Sequence, residues 1–316
     1  MSAPLPSGLK PNRVSGAAGL LRAFAELAKV RLTLLVVTTA AVGFLMAGGP
    51  HGDAATFFWT VLGTALAAAG SMALNQVLEA GRDARMERTR NRPLPAGAIG
   101  RPAAVVSGVV AASLGLAVLS VRVTVVTALL GLTVVLLYTL VYTPLKPRTP
   151  LCTLVGAVCG AIPPMMGWSA TGAPLSFGAW FLAGVLFLWQ IPHFLALAWL
   201  YREDYERGGF RMLPVVDPSG RVTAQMAVLY ALALLPVGVM AAMGGLTGWL
   251  FAAGSLVLGA ALVTLALQLA AARTEPVARR LFLATLAYLP LLLGLMVADR
   301  TPLDAARLAV ATLAKR

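Results

Sequence analysis

The chain has 316 residues, of which 59% are hydrophobic and only 12% are charged, and its formal net charge is +13. Soluble proteins keep about a quarter of their residues charged, so this composition excludes an ordinary soluble enzyme and indicates a surface that faces mostly lipid. The positive charge does not indicate a nucleic-acid partner, because basic loops are typical of membrane proteins and no nucleic-acid-binding motif accompanies them.

Residues 1–29 form a basic arm, expected to be cytoplasmic, ahead of the first apolar run. Within the arm, Leu20, Phe24 and Leu27 lie at helical spacing with charged residues between them. This pattern is typical of a short interfacial helix, and a frayed tail is the alternative. The basic stretch is long for a secretory signal, so the first apolar run is expected to be an uncleaved span.

Seven charge-free apolar stretches follow, and a membrane span needs about 20 apolar residues. Two of the stretches are long enough for two helices, with turn signals at 171–174 and at Gly244, Gly245 and Gly248. The sequence therefore predicts an all-α bundle of nine transmembrane helices over 30–298 and a short tail over 299–316. The stretches are 32–52, 54–78, 102–121, 123–145, 149–201, 222–272 and 281–298.

The basic residues are divided unevenly between the two sides of this predicted bundle. The N-terminal arm and the loops after helices 2, 4, 6 and 8 carry 20 of the 25 lysines and arginines. Because cytoplasmic loops are enriched in these residues, the N-terminus is predicted in the cytoplasm and the C-terminus outside. The expected location is the inner, or plasma, membrane.

The end of predicted helix 2 carries oxygen-bearing side chains at i, i+4 and i+8, namely Asn75, Glu79 and Asp83. If the helix continues through them, they share one face near a helix C-terminus, where the backbone dipole favours cations. Carboxylate and amide oxygens suit Mg²⁺, which proteins usually hold together with substrate phosphates. Because arginines follow at once, a self-neutralising, solvated loop is the alternative.

Two further loops are predicted on the same side of the membrane. The loop after helix 6 contains Glu203 and Asp204 among arginines, so two acidic clusters can converge on a metal-bridged diphosphate. The loop after helix 4 contains Tyr142, Lys146 and Arg148, which are expected to contact the substrate. Preorganised cations would stabilise a departing diphosphate, and the alternative for Lys146 and Arg148 is an anchor of the positive-inside kind.

His193 lies inside a predicted span, directly after Pro192. Ionisable residues in a span are costly and indicate function by default. A neutral imidazole is a suitable ligand for haem iron. The alternative is a structural histidine bonded to a carbonyl that Pro192 leaves free.

At these residues the chain resembles the UbiA superfamily of intramembrane prenyltransferases, over roughly residues 25–298. The resemblance rests on three segments: 75–95, 142–164 and 189–214, the last with Pro-His-Phe, Arg-Glu-Asp-Tyr and Met-Leu-Pro. The third segment is similar to the branch of the superfamily that farnesylates haem. The resemblance implies a nine-helix bundle with a cavity open toward lipid and two acidic motifs on the cytoplasmic side.

The resemblance also implies a reaction: farnesyl diphosphate, haem B and water give haem O and diphosphate, a step toward haem A for respiratory oxidases. Other enzymes of haem A synthesis become candidate partners. In the second motif, Arg207 stands where the superfamily usually has another aspartate. The implied site comprises Asn75, Glu79 and Asp83 for Mg²⁺ and diphosphate, Glu203 and Asp204 for the second motif, Arg88, Arg92 and Lys146 for phosphate oxygens, and His193 for haem.

Two other functions fit the pattern less well. A related prenyltransferase with a quinone precursor or lipid headgroup as acceptor would not require Pro192-His193-Phe194. A secondary transporter would place charged groups and broken helices near the membrane midplane. Here the acidic residues gather at one face instead.

Overall fold

The computed structural model describes residues 16–48 and 51–301. The predicted arm before residue 16 and the predicted tail after residue 301 lie outside the described residues. The helices are α1 Ala17–Leu27, α2 Val30–Ala47, α3 Ala54–Asp83, α4 Arg101–Arg122, α5 Val125–Leu136, α6 Thr143–Leu145, α7 Cys152–Ala170, α8 Phe177–Leu200, α9 Arg202–Arg207, α10 Leu213–Val216, α11 Arg221–Ala233, α12 Val237–Met243, α13 Trp249–Ala272 and α14 Glu275–Ala298.

Within the described residues, nine helical segments are long and apolar enough to cross a membrane. Two of them combine shorter elements: α5 continues to Leu145, and α11 with α12 forms one segment. The predicted all-α bundle is therefore confirmed. Both predicted turns lie between spanning helices, and α1 shows that residues 17–27 are helical.

The boundaries differ from the prediction mainly around the first two spans. The first span ends at Ala47 rather than at 52, because Gly48 takes a left-handed conformation that ends the helix. The second span runs on to Asp83, five residues beyond its apolar stretch. Its polar last turns are buried against neighbouring elements, so the helix continues where hydropathy alone would end it.

Small residues allow the helices to approach each other closely. Gly70 of α3 faces the backbone of α4 at Gly108 and Ala112, and a side chain at Gly70 would collide with it. Gly43 of α2 lies similarly against the carbonyl of Pro164 in α7. Close backbone packing of this kind stabilises helix association in membranes, where the hydrophobic effect contributes little between helices.

The end of the fourth span departs from regular α-helix. Leu137–Tyr142 forms a π-helical turn, followed by the short α6. Pro144 has no N–H to donate to the preceding turn, and the Thr143 hydroxyl donates to the carbonyl of Tyr138 at 2.7 Å. The π-helical turn brings Thr143 next to the polar end of α3, where it contacts Asn75.

Candidate functional site

The last turns of α3 carry the predicted oxygen face. Asn75, Glu79 and Asp83 all lie within the one helix and are almost fully buried, with exposures of 0%, 4% and 1%. The continuous helix that the prediction required is therefore present. Burial of two carboxylates at this position requires positive partners.

Each of the three side chains has a cationic partner from another part of the chain. Lys146 Nζ lies 2.7 Å from Glu79 Oε1, and Arg92 donates to Asp83 Oδ2 at 2.7 Å. Lys29 Nζ donates to Asn75 Oδ1 at 2.8 Å. These six residues are called the charged cluster below. It contains three cations and two carboxylates, so a net positive charge remains.

Lys29 was not predicted as a site residue, because in the sequence it is one of several basic residues ahead of the first span. It is the N-cap residue of α2 and has a left-handed conformation with φ 47°, which costs roughly 1–2 kcal/mol for a residue with a side chain. Gln76 of α3 holds the preceding turn by donating to the carbonyls of Glu26 and Leu27, at 3.1 and 2.7 Å. The structure thus directs Lys29 toward α3.

Burial and the neighbouring cations both disfavour the charged form of Lys29. Burial, followed by repulsion from Arg92 and Lys146, lowers the pKa of the Lys29 ammonium to about 7. Burial also disfavours the charged form of Lys146, but the adjacent Glu79 outweighs this effect and raises the pKa of the Lys146 ammonium. A negatively charged group among these cations would relieve their repulsion.

Thr143 fixes the orientation of the Asn75 amide. Asn75 Nδ2 donates to Thr143 Oγ1 at 2.9 Å, while the Thr143 hydroxyl itself donates to the carbonyl of Tyr138. Asn75 therefore presents its oxygen, not its nitrogen, to Lys29. Thr143 lies in a segment that the resemblance identified, but no pattern in the sequence predicted a role for it.

The residues of this face fit a divalent cation. Asp83 Oδ1 is buried without a hydrogen-bond partner, although Oδ2 of the same carboxylate is paired with Arg92. Glu79 lies one helical turn away and supplies a second carboxylate. Mg²⁺ is usually bound by one or two carboxylates together with substrate phosphates, and this face offers the two carboxylates.

A cavity of about 180 Å³ lies between the helices near this cluster. Tyr142 lines it, and its ring lies 4.6 Å from Lys146 Nζ, so Tyr142 connects the cavity with the charged cluster. The rest of the lining is mostly apolar and comes from α2, α3, α5, the π-helical turn, α7, α8 and α14. Its polar side chains include Thr39, Ser71, Tyr138, Gln190 and His193.

His193 borders the same cavity as Tyr142. Its ring is stacked with Trp189 and Phe282 at centroid distances of 5.0 and 5.1 Å. Nδ1 lies 2.8 Å from Thr285 Oγ1 of α14. The sequence also allowed a structural histidine bonded to a carbonyl that Pro192 leaves free. For Nδ1 the structure shows the contact with Thr285 instead.

Asp204 of the second acidic motif binds the loop after α3 rather than the oxygen face. Its carboxylate accepts hydrogen bonds from the backbone N–H groups of Glu87 and Arg88, at 3.0 and 3.2 Å, and from Arg207. Burial opposes ionisation, but these donors outweigh it and lower the pKa of the Asp204 carboxyl. Asp204 thereby joins the two loops in which the sequence combines acids and arginines.

The remaining predicted residues lie around this junction. Glu203 is exposed and borders a second pocket, which Glu87, Arg88 and Glu275 also line. Arg88 stacks over the ring of Tyr201 at 4.8 Å, and Arg148 is exposed. The structure therefore gathers Asn75, Glu79, Asp83, Arg92 and Lys146, and it places Arg88, Arg148, Glu203 and Asp204 outside these mutual contacts.

Comparison with known proteins identifies the family. Residues 35–286 match the model of the UbiA prenyltransferase family. The chain is 39% identical over 290 residues to protoheme IX farnesyltransferase of Solibacter usitatus, and the match covers 89% of this chain and 99% of that protein.

Solved structures share the fold at low identity. A structure of digeranylgeranylglyceryl phosphate synthase matches with a TM-score of 0.74 at 14% identity, over 88% of this chain and 98% of that one. A UbiA homolog from Archaeoglobus fulgidus bound to GPP and Mg²⁺ matches with a TM-score of 0.61 at 15% identity, over 87% and 99% of the two chains.

Proposed function

The chain belongs to the UbiA prenyltransferase family, and on that basis we propose that it transfers a farnesyl group from farnesyl diphosphate to a vinyl group of haem B. It is a multi-pass membrane protein and a prenyltransferase. The choice of farnesyl and haem is supported by relatives of about 40% identity that are named protoheme IX farnesyltransferase.

The reaction forms two bonds on the haem vinyl group. The bond between C1 of the farnesyl chain and the diphosphate oxygen breaks, and diphosphate leaves with the bonding electrons. The terminal vinyl carbon attacks C1, and water adds to the inner vinyl carbon and releases a proton. The products are haem O and diphosphate, with no net oxidation or reduction.

The observation that carries this proposal is one mostly apolar cavity that lies next to a cluster of cations. Tyr142 lines the cavity and contacts Lys146 of the charged cluster, and His193 lines the same cavity. A diphosphate requires cations, whereas a long isoprenoid chain and a porphyrin require apolar surroundings. The cavity supplies both kinds of surroundings within reach of one another.

Lys29, Arg92 and Lys146 are proposed to bind the diphosphate oxygens. In the structure Arg92 and Lys146 form ion pairs with Asp83 and Glu79, and Lys29 donates to the Asn75 oxygen. On substrate binding they would turn toward the phosphate oxygens and stabilise the charge that develops as the C–O bond breaks. When bound at Asn75, Glu79 and Asp83, Mg²⁺ would supply further neutralisation of the diphosphate.

The second motif is proposed to act through the loop that it holds. Asp204 fixes the backbone at Glu87 and Arg88, only four residues before Arg92. It would thereby position Arg88 and Arg92 for the incoming diphosphate. Glu203 and Arg148, both exposed, would meet the substrate at the entrance of the site.

The decisive experiment is an assay of the purified protein in lipid nanodiscs with haem B, farnesyl diphosphate and Mg²⁺. Resolution of the products by mass should show haem with one added farnesyl group and one added water. No prenylated product should form when haem B is replaced by an aromatic quinone precursor or by a lipid with a polar headgroup. A prenylated quinone precursor or lipid, with unmodified haem, would contradict the proposed acceptor.

The orientation of the protein in the membrane requires a separate test. We propose that the N-terminus is cytoplasmic and that the protein resides in the inner membrane, on the basis of the uneven distribution of lysine and arginine. In a variant without the buried Cys152 and Cys159, a cysteine at position 90 should react with an impermeant reagent from the cytoplasm. A cysteine at position 173 should react only from outside, and the reverse result would overturn the orientation.

A further inference from the structure

A buried contact between α8 and α14 involves more than the histidine. Trp189 Nε1 donates to the backbone carbonyl of Thr285 at 2.8 Å, and one turn further along α8 His193 Nδ1 meets the hydroxyl of Thr285 at 2.8 Å. Thr285 is fully buried. Trp189, His193, Phe282 and Thr285 are called the histidine clasp below.

The Thr285 hydroxyl has a second close partner. Its Oγ1 donates to the carbonyl of Phe282 at 2.6 Å. Two oxygens at this separation need a proton between them, because otherwise their lone pairs would face each other. The single hydroxyl proton of Thr285 is therefore committed to the carbonyl of Phe282.

This commitment decides which nitrogen of His193 carries a proton. Since the Thr285 oxygen can only accept from the imidazole, Nδ1 must be the protonated nitrogen. In the neutral ring, which an apolar interior favours, Nε2 then keeps a free lone pair. His193 lines the cavity, and Nδ1 is already occupied by Thr285, so Nε2 is the nitrogen available to a molecule in the cavity.

The ring around that nitrogen is also held in place. Trp189 and Phe282 stack on the imidazole with interplanar angles of 19° and 27°. Stacking restricts rotation about the side-chain bonds, and the bond to Thr285 fixes the remaining freedom. The clasp therefore presents an oriented, unprotonated nitrogen.

We propose that Thr285 is a positioning residue that holds His193 as the Nδ1–H tautomer, so that Nε2 ligates the iron of haem B. The proposal rests on the proposed function, since it needs haem as the acceptor. A neutral imidazole nitrogen is a common ligand of haem iron. A hydrogen bond from the other ring nitrogen to a neighbouring acceptor is the usual support of such a ligand.

The test compares binding of haem B with binding of metal-free protoporphyrin IX in nanodiscs. The wild type should show a histidine-type haem absorbance spectrum and should bind haem B more tightly than protoporphyrin IX. His193→Ala should lose both features, and added imidazole should restore the spectrum. Protoporphyrin IX has no iron, so its affinity should stay the same in every variant and reports an intact cavity.

Thr285→Val removes the hydroxyl while it keeps the branched shape. It should weaken haem B binding by about 10- to 100-fold, the range found when an outer-shell partner of a metal ligand is lost. Thr285→Ser should remain close to wild type. Thr264→Val is the matched control, because Thr264 also bonds a carbonyl of its own helix, that of Ala260, on the exposed side of α13.

Two results would overturn the proposal: an unchanged haem affinity and spectrum in Thr285→Val, or a histidine-type spectrum that persists in His193→Ala. If Thr285→Val does not fold, the same measurements on Thr285→Ala decide the question. The farnesyl transfer assay separates this proposal from the proposed function. If the wild type farnesylates haem but the variants leave the spectrum unchanged, iron ligation is disproved and the transfer reaction stands. If the wild type shows a histidine-type spectrum but forms no farnesylated product, the transfer reaction is disproved and iron ligation stands.

Discussion

The charged cluster and the histidine clasp lie near the same cavity but differ in chemical character. The cluster combines three cations with two buried carboxylates, whereas the clasp surrounds a neutral ring with Trp189 and Phe282. Both nevertheless use a threonine in the same way. Thr143 and Thr285 each donate to a carbonyl of their own helical segment and accept from a side chain of the proposed site, Asn75 or His193.

The difference corresponds to the two unlike ligands that are proposed above. Buried charges need partners, so the carboxylates of the cluster are paired with its cations, and a charged substrate would exchange those partners. A neutral nitrogen needs only orientation, and the clasp provides it through one hydrogen bond and stacked rings. We therefore expect changes at the cluster to affect farnesyl diphosphate and changes at the clasp to affect haem, with little coupling between the two.

Removal of Mg²⁺ should have the largest effect. Excess EDTA is expected to reduce farnesyl transfer to background, because the cluster alone cannot neutralise a diphosphate, while the absorbance titration with haem B stays unchanged. EDTA preloaded with Mg²⁺ is the control. Full turnover in excess free chelator would show that the oxygen face of α3 does not act through a metal.

Asp83→Asn is expected to lower kcat/KM by about 10²- to 10³-fold, the loss typical when one preorganised electrostatic group is removed. Arg92 is 26% exposed and can turn toward water, so the thermal stability should change little. Glu206→Gln, at an exposed acid near the second motif, is the matched control. Near-normal turnover at saturating Mg²⁺ would identify the face as a structural helix end.

Lys29→Met should weaken binding of farnesyl diphosphate by about 10-fold or more, since a hydrogen bond to a charged group contributes about 1.5–3 kcal/mol. Haem B affinity should remain as in the wild type. Arg31→Met, two residues away and exposed, provides the control. Equal losses of farnesyl diphosphate affinity in both variants would show that Lys29 contributes only to the general positive charge of this surface.

Thr143→Val should produce the smallest change, about 5-fold in the affinity for farnesyl diphosphate, because one neutral hydrogen bond contributes about 1 kcal/mol. It frees the Asn75 amide to rotate, and Thr143→Ser should restore its orientation. Thr133→Val, at an exposed threonine that bonds Leu129 within α5, is the control. A loss of haem affinity rather than diphosphate affinity would break the proposed independence of the two regions.

The sequence by itself determined the bundle and the oxygen face. The thickness of a bilayer sets the length of an apolar span, and charges are excluded from it, so nine spans could be counted directly. The helical repeat places residues four apart on one face, so Asn75, Glu79 and Asp83 could be grouped from their spacing alone. Both predictions depend on rules that apply along a single segment.

Only the tertiary structure decided how these residues are partnered. Lys29 and Asn75 are 46 residues apart, His193 and Thr285 are 92 apart, and Asp204 contacts Glu87 across 117 residues. Such pairs depend on which helix faces pack together and on turns such as the left-handed one at Lys29, and local periodicity records neither. For this reason two segments with similar acids and arginines have different structural roles. The first, at the end of α3, forms the buried oxygen face. The second contains Asp204, which binds the backbone of the loop that follows α3.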